Sequence, residues 1–114
     1  MAALNNRYVP ALRQATQAGW QPVSMVRSSD PEVWLERWGP AKQGEVYLTV
    51  YNSAPDQRAV VLTVAAAKLG LTGRVTAADL LSDAKAEAPV KGGIAELRLT
   101  APARRLMVLR LGGE

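Results

Sequence analysis

The sequence predicts a mainly β fold: an antiparallel β-sandwich of seven or eight short strands, preceded by one N-terminal helix. Three observations predict it. Apolar residues recur at helical spacing only near the start of the chain, segments of alternating polarity follow at regular intervals, and turn-forming residues separate those segments. The 114 residues, 48% hydrophobic and 21% charged, suffice for a single folded domain. We divide it into a helix at 1–19 and a sandwich at 20–114.

The N-terminal helix is predicted over Arg7–Ala18. Its narrow apolar stripe follows spacings of four, three and four residues and consists of Tyr8, Leu12, Ala15 and Gly19. Asn5 or Asn6 is the expected N-cap, and Pro10 is expected in the first turn, where proline is tolerated. Gly19 suits the left-handed backbone at which many helices end. Because so short a stripe stabilises a helix only weakly, we expect the helix to pack on the rest of the chain.

The predicted strands share a period of two and are rich in β-branched and apolar residues. They are expected at Ser24–Arg27, Val33–Trp38, Val46–Tyr51, Ala59–Val64, Arg74–Ala78, Ile94–Thr100 and Arg105–Leu111, with a short edge strand within 82–88. A short loop separates the third strand from the fourth, so we expect these two to pair as an antiparallel hairpin. Gly92 and Gly93 are expected to form a tight hairpin turn. Residues 65–71 fit either a helical turn or a strand end followed by a loop.

Two of these strands are apolar on both faces. Residues 46–51 place Val and Leu side chains on one face and two tyrosines on the other, while residues 106–109 are apolar throughout. Strands of this kind belong to sheets that are covered on both sides. We therefore expect the N-terminal helix, and a further domain or subunit, to cover the outer face. The candidate interface residues are Tyr8, Leu12, Tyr47, Tyr51, Leu106 and Val108.

The composition excludes several kinds of chemistry. The chain has no Cys and no His, which removes disulfides, thiolate nucleophiles, imidazole relays and the commonest zinc ligands. Among the carboxylates, Glu36 is the best candidate for a glycosidase acid, but a compact sandwich offers little cleft and nearby arginines favour a paired, structural role. Asp79 and Asp83 are expected to form turns. We predict no catalytic residue, no metal site and no cofactor.

The charge pattern argues against nucleic-acid and membrane partners. The net charge is +4, but the ten Arg and four Lys are dispersed along the chain rather than gathered in one stripe. No apolar run approaches the roughly 18 residues that span a bilayer. The first ten residues lack the basic start and apolar middle of a signal peptide, so a soluble chain without one is expected. The absence of cysteine fits a reducing or an oxidising compartment, so no location is predicted.

Aromatic residues provide a candidate carbohydrate contact. Trp34 and Trp38 lie four residues apart on one strand, so they point the same way about 13 Å apart. Aromatic faces of this kind can stack on sugar rings; the candidate residues are Trp34, Trp38, Tyr47 and Tyr51. The chain has no Phe, however, so its three Trp and three Tyr have to supply most of the large core volume. We therefore favour packing over sugar binding for these residues.

Several segments together resemble the end of certain bacterial glycoside hydrolases, in which a (β/α)8 barrel passes through a helix into a C-terminal antiparallel β-sandwich. The segments that carry the resemblance are Tyr8-Val9-Pro10, Ala18-Gly19-Trp20-Gln21-Pro22-Val23, Val33-Trp34-Leu35-Glu36-Arg37-Trp38-Gly39, Tyr47-Leu48-Thr49-Val50-Tyr51-Asn52, residues 69–81 and residues 105–111. The resemblance implies a non-catalytic accessory domain that packs against the barrel and stabilises it, with the catalytic carboxylates in the barrel. A carbohydrate-binding module and a homo-oligomerisation domain are the alternatives.

Overall fold

The computed structural model describes residues 2–22, 24–40 and 44–113, with side chains from residue 9 onward. These residues form one α-helix, nine strands and a 3-10 turn. The elements are α1 (Ala2–Ala18), β1 (Trp20–Gln21), β2 (Val26–Ser28), β3 (Val33–Trp38), β4 (Val46–Asn52), β5 (Arg58–Val64), the 3-10 turn (Ala66–Leu69), β6 (Arg74–Asp79), β7 (Lys85–Pro89), β8 (Ala95–Ala101) and β9 (Leu106–Gly113). The predicted mainly β, antiparallel architecture is confirmed.

The strands form a sandwich of two antiparallel sheets. The large sheet has six strands in the order β1-β3-β4-β9-β6-β7, and the small sheet has three in the order β2-β5-β8. The inner faces of the two sheets enclose the main core, whose largest fully buried residues are Leu48, Leu62, Leu97, Leu109 and Leu111. One strand was predicted ahead of Val33, but the structure has two, because β1 pairs with β3 in the large sheet while β2 pairs with β5 in the small one.

The predicted hairpin between β4 and β5 is wrong. β4 pairs with β3 and β9, whereas β5 pairs with β2 and β8, so the two strands lie in opposite sheets. Their apolar faces meet across the core, and the loop at 53–57 crosses from one sheet to the other. A short loop between two alternating strands is compatible with either arrangement, since burial of the apolar faces is achieved in both.

Asn52 holds this crossing in place. Its side chain is fully buried, and its Nδ2 donates hydrogen bonds to the carbonyl oxygens of Asp56 and Ala101, both at 3.0 Å. Its Oδ1 accepts a hydrogen bond from the backbone N–H of Ala54 at 2.9 Å. The first and third bonds fold the loop back on itself, and the second ties the end of β4 to the end of β8 in the other sheet.

The turn predictions are confirmed. Lys91 and Ile94 exchange backbone hydrogen bonds of 2.8 and 3.1 Å around Gly92 and Gly93, which both adopt positive φ, as a two-residue hairpin turn requires. The first alternative for residues 65–71 is correct, because a 3-10 turn forms there. The edge strand expected within 82–88 is β7, which begins at Lys85.

The helix ends at Gly19 as predicted, but it begins earlier than predicted. α1 starts at Ala2, so Asn5 and Asn6 lie inside the helix rather than at its cap, and Pro10 lies in the interior rather than in the first turn. The prediction relied on the apolar stripe, which begins at Tyr8. It gave no weight to the helix propensity of alanine and leucine at positions 2–4.

α1 packs on the outer face of the large sheet, as expected. Ala11 and Ala15 are buried against Tyr47 of β4 and Val108 of β9. Leu12, Ala18, Trp38, Leu80, Leu81 and Leu106 are partly buried around this second core. The two small alanines let the helix approach the sheet closely, so the sheet is covered on both faces along this part of its length.

A cluster of charged residues joins the turn before β3 to the loop before β5. Asp30 accepts a hydrogen bond from the backbone N–H of Glu32 through Oδ1 and pairs with Arg58 through Oδ2, both at 2.9 Å. The Arg58 Nε also donates to Asp56 at 2.9 Å. The backbone hydrogen bond, followed by the Arg58 guanidinium, lowers the pKa of Asp30, and the carboxylates raise the pKa of Arg58.

We predict that Asn52→Ala lowers the free energy of unfolding by about 2–3 kcal/mol, because it leaves buried backbone groups without partners. Equilibrium urea unfolding measures the change. Ser53→Ala is the matched control: this neighbouring hydroxyl donates to the Glu32 carbonyl in a more exposed place, and its loss should cost no more than about 0.5 kcal/mol. Equal effects of the two substitutions would contradict the role given to Asn52.

We also predict that Asp30→Asn is less stable than the parent chain at pH 7, and that this difference shrinks on acidification. A carboxyl whose folded pKa is lowered stabilises the fold above its unfolded pKa of about 3.9, and the stabilisation is lost as the pH falls through the folded value. Thermal unfolding of both proteins at pH 7, 4 and 2.5 measures the difference. A difference that stays constant over this range would contradict the prediction.

Candidate interaction site on the outer face of the large sheet

The outer face of the large sheet carries its side chains in rows that run across the strands. One row joins Trp34 of β3, Tyr51 of β4 and Leu106 of β9, because the Cα atoms of these residues are paired. The next rows contain Glu36, Thr49 and Val108, and then Trp38, Tyr47 and Arg110. α1 covers part of the second and third rows. The first row lies at the edge of the covered area, with Leu106 partly buried and Trp34 and Tyr51 exposed.

The covered part of the face includes two of the four candidate sugar-binding residues. Tyr47 is buried beneath α1, and Trp38 is half-buried there. The Trp38 Nε1 donates a hydrogen bond to Thr49 Oγ1 at 3.1 Å, which satisfies the indole N–H inside the protein. Both residues therefore have the packing role that the sequence favoured. The Tyr8 side chain lies outside the described residues.

The uncovered part is an aromatic surface that we call the open patch, defined as Trp20, Trp34 and Tyr51. Trp34 is 61% exposed, Trp20 52% and Tyr51 36%. The rings of Trp34 and Tyr51 lie 6.0 Å apart, centre to centre, with their planes tilted by 49°. Leu106, which is half-buried, borders the patch on β9. Trp34 and Tyr51 were predicted as site residues, whereas Trp20 was not.

Trp20 enters the patch through pairing that is remote in sequence. β1 places it beside Trp38 of β3, and its Nε1 donates a hydrogen bond to Glu36 Oε2 at 2.9 Å. The sequence carries one signal for this strand. Gly19 ends α1, and the chain that follows it immediately pairs with the edge of β3 as β1. The bond ties the indole to β3, and Trp20 remains about half exposed.

Glu36 has a different partner from the one expected. The sequence favoured pairing with an arginine, but among the described residues the carboxylate bonds to the Trp20 indole and takes part in no ion pair. Its neighbour Arg37 points to the opposite face, as alternate residues of a strand do. There the Arg37 Nε donates to the Ser24 carbonyl at 2.9 Å and its Nη1 donates to the Gly39 carbonyl. Burial lowers the pKa of this guanidinium.

The other two candidate carboxylates, Asp79 and Asp83, lie in a turn. Asp79 accepts hydrogen bonds from Leu81 N–H, Ser82 Oγ–H and Val108 N–H at 2.8–3.2 Å, so it forms the expected turn, and Asp83 lies in the same bend. Within residues 2–22, 24–40 and 44–113, no three acidic side chains lie close enough together to hold a metal ion. No helix in the same ranges has the length and apolar character needed to cross a membrane.

Neither a family model nor a curated protein matches this sequence. Among solved structures, the chain is similar to a putative α-N-acetylgalactosaminidase from Bacillus halodurans C-125, with a TM-score of 0.52 and 15% identity over 79% of this chain and 21% of that one. It is also similar to a GH27 β-L-arabinopyranosidase from Geobacillus stearothermophilus, with a TM-score of 0.47 and 14% identity over 78% of this chain and 20% of that one. The chain thus spans about a fifth of each enzyme, and the expected resemblance to a domain of bacterial glycoside hydrolases is confirmed at the level of the fold.

Proposed function

We propose that this chain is a non-catalytic accessory domain of a larger glycoside hydrolase, and that it packs against a catalytic (β/α)8 barrel and stabilises it. The shared fold supports the first part, because the enzyme that resembles this chain devotes only about a fifth of its length to it. The open patch supports the second part. In this proposal the barrel carries the catalytic carboxylates and the substrate site.

The open patch is the observation on which the docking role depends. It lies on the same sheet face as the helix-covered core, so one part of an apolar face is closed by the chain itself and the adjoining part is not. Burial of apolar surface contributes roughly 25 cal/mol per Å², and tryptophan and tyrosine are the residues that most often dominate interfaces. A second protein surface placed on Trp34 and Tyr51 would complete the cover that α1 begins.

The surroundings of Glu36 favour docking over catalysis. A general acid in a glycosidase needs an apolar enclosure and a second carboxylate across a cleft. Glu36 instead lies exposed on an open sheet face and accepts a hydrogen bond from Trp20. The indole N–H occupies one of its oxygens, which suits a carboxylate that positions an aromatic ring.

We predict that Trp34→Ser combined with Tyr51→Ser lowers the free energy of unfolding of this chain by itself by only about 1 kcal/mol, because the two substitutions remove one partly exposed cross-strand aromatic pair. In the longer polypeptide that contains the barrel, the same pair should shorten the thermal half-life of glycosidase activity, since truncating an aromatic anchor in an interface costs about 2 kcal/mol or more. Heat inactivation of the enzyme and thermal unfolding of the chain measure the two effects.

Ile94→Ser is the matched control, because Ile94 is also an exposed apolar residue but lies in the turn before β8. It should change neither measurement. A barrel whose half-life is unaffected by the patch substitutions would contradict the docking role. Hydrolysis of aryl glycosides by the chain alone, abolished by Glu36→Gln, would contradict its non-catalytic role.

Carbohydrate binding is the second candidate function, and the exposed Trp34–Tyr51 pair is the observation that favours it. A sugar ring needs a flat aromatic face, and both of these rings are partly exposed to solvent. Their 49° tilt, however, prevents a single sugar from stacking on both at once. The tilted pair suits an irregular protein surface better than a flat platform for a polysaccharide.

We therefore predict that tryptophan fluorescence of the chain does not change when galactose, N-acetylgalactosamine, arabinose or their oligomers are added to millimolar concentration. A saturable change that is lost in Trp34→Ala and retained in Ile94→Ser would establish the sugar site instead. Light scattering on the same samples tests the third alternative, because a second copy bound through the patch would give a dimer that Trp34→Ala dissociates.

A further inference from the structure

A carboxylate lies among the exposed rings of the open patch. Glu36 and Trp34 are two residues apart on β3, so their side chains share the outer face and their Cα atoms are about 7 Å apart. From the neighbouring strand β1, the Trp20 indole donates its hydrogen bond to Glu36 Oε2. Glu36 is therefore flanked by two exposed indoles, one along its own strand and one across the sheet.

The Glu36 carboxylate keeps hydrogen-bonding capacity on its solvent side. The residue is exposed, and Trp20 is its one hydrogen-bond partner among the residues that the structure describes. That bond uses Oε2, whereas a carboxylate offers about four acceptor positions on its two oxygens. Oε1 is consequently available to a donor that approaches from outside the protein.

The nearest arginines in the sequence and on the helix point away from this carboxylate. Arg37 follows Glu36 directly but lies on the opposite face of β3, where it donates to two backbone carbonyls. Arg13 lies midway between Ala11 and Ala15, the two residues that α1 buries against the sheet. Because two residues correspond to a little more than half a helical turn, Arg13 is on the side of α1 that faces solvent.

The arginines of β9 and of the turn before it are remote from Glu36. β4 separates β3 from β9, so residues of β9 lie about 10 Å from β3 across the sheet. Arg110 belongs to the third row, and Tyr47, which α1 covers, lies between it and Glu36. The arginines at 104–105 precede β9, beyond the first row of the face. The carboxylate of the patch therefore has no described cation beside it.

A guanidinium matches both features of the patch. The face of an aromatic ring attracts a cation that lies within about 6 Å of its centre. Because the guanidinium is planar and weakly hydrated, it can lie on an indole face while its N–H groups donate to a carboxylate at the side of the ring. A lysine ammonium is compact and strongly hydrated, so it gains less from such a ring. The charge of the carboxylate also favours a cationic donor over a neutral hydroxyl.

We propose that the surface that docks on the open patch inserts an arginine, whose guanidinium stacks on Trp34 and donates a hydrogen bond to Glu36 Oε1. The inference rests on the docking role proposed above and names the chemistry of the partner. Apolar burial alone gives little orientation, whereas a charge-assisted hydrogen bond fixes the register of two surfaces. In this arrangement the Trp20 hydrogen bond has a purpose, because it holds the carboxylate beside the Trp34 ring.

Peptide binding to the whole chain tests the inference. The probes are a capped glycine-arginine-glycine peptide and two comparison peptides with citrulline or lysine in place of arginine. Citrulline keeps the length and planar end group of arginine without its charge. Nuclear magnetic resonance at constant ionic strength follows the indole N–H signals. The arginine peptide should bind roughly threefold or more tightly than either comparison peptide, as an exposed cation–π contact combined with an ion pair would produce.

The three indoles locate the contact. The signals of Trp20 and Trp34 should move during the titration, whereas that of Trp38 should not, because its N–H bonds to Thr49 inside the protein. Equal affinities for the arginine and citrulline peptides would overturn the cationic partner, and equal affinities for arginine and lysine would overturn the choice of a guanidinium.

Variants separate the charge of Glu36 from its packing. Glu36→Gln removes the charge and keeps an oxygen that can accept the Trp20 hydrogen bond, so the preference for arginine over citrulline should disappear while thermal unfolding of the chain is unchanged. Glu96→Gln is the matched control, because it makes the same change at an exposed position of β8 in the small sheet. It should leave the preference intact. A preference that persists in Glu36→Gln would overturn the proposal.

The longer polypeptide that contains the barrel distinguishes this inference from the docking role. There Glu36→Gln should shorten the thermal half-life of glycosidase activity roughly threefold or more, since it leaves the partner's guanidinium without its carboxylate, and Glu96→Gln should not. A half-life that responds to the substitutions of Trp34 and Tyr51 but not to Glu36→Gln overturns the arginine contact and leaves the docking role standing. A half-life that responds to neither contradicts docking at the patch, and the partner's arginine with it.

Discussion

The architecture depends on the buried carboxamide of Asn52. A buried amide without partners destabilises a fold by about 1–3 kcal/mol, so its position has to supply all of its hydrogen bonds. They come from the loop that follows it and from Ala101 at the end of β8. These partners are compatible with a chain that leaves the large sheet at residue 52 and enters the small one, and not with a hairpin. β4 and β5 can then face each other across the core instead of pairing edge to edge.

That separation explains why the large sheet is apolar on both faces. With β5 in the other sheet, β4 gains β9 as its neighbour, and the tyrosines of β4 come to lie beside Leu106 and Val108 on the outer side. A folded protein rarely exposes so large a continuous apolar surface to water. α1 covers one part with two alanines and Leu12, and the exposed rings of Trp34 and Tyr51 lie outside that cover.

Local pattern was sufficient to predict the glycine turn at 92–93, the helix stop at Gly19 and every strand except β1. Local pattern could not show which strands pair with each other. The strands on either side of a hairpin loop alternate between polar and apolar residues in the same way as the strands on either side of a loop that crosses between sheets. The contact that distinguishes them joins residues 49 apart in sequence. Trp20 escaped prediction for the same reason, since its partner Glu36 lies 16 residues away. Arg37 can be buried because the carbonyl oxygens of Ser24 and Gly39 accept hydrogen bonds from its guanidinium. No sequence pattern identifies those two carbonyls as acceptors.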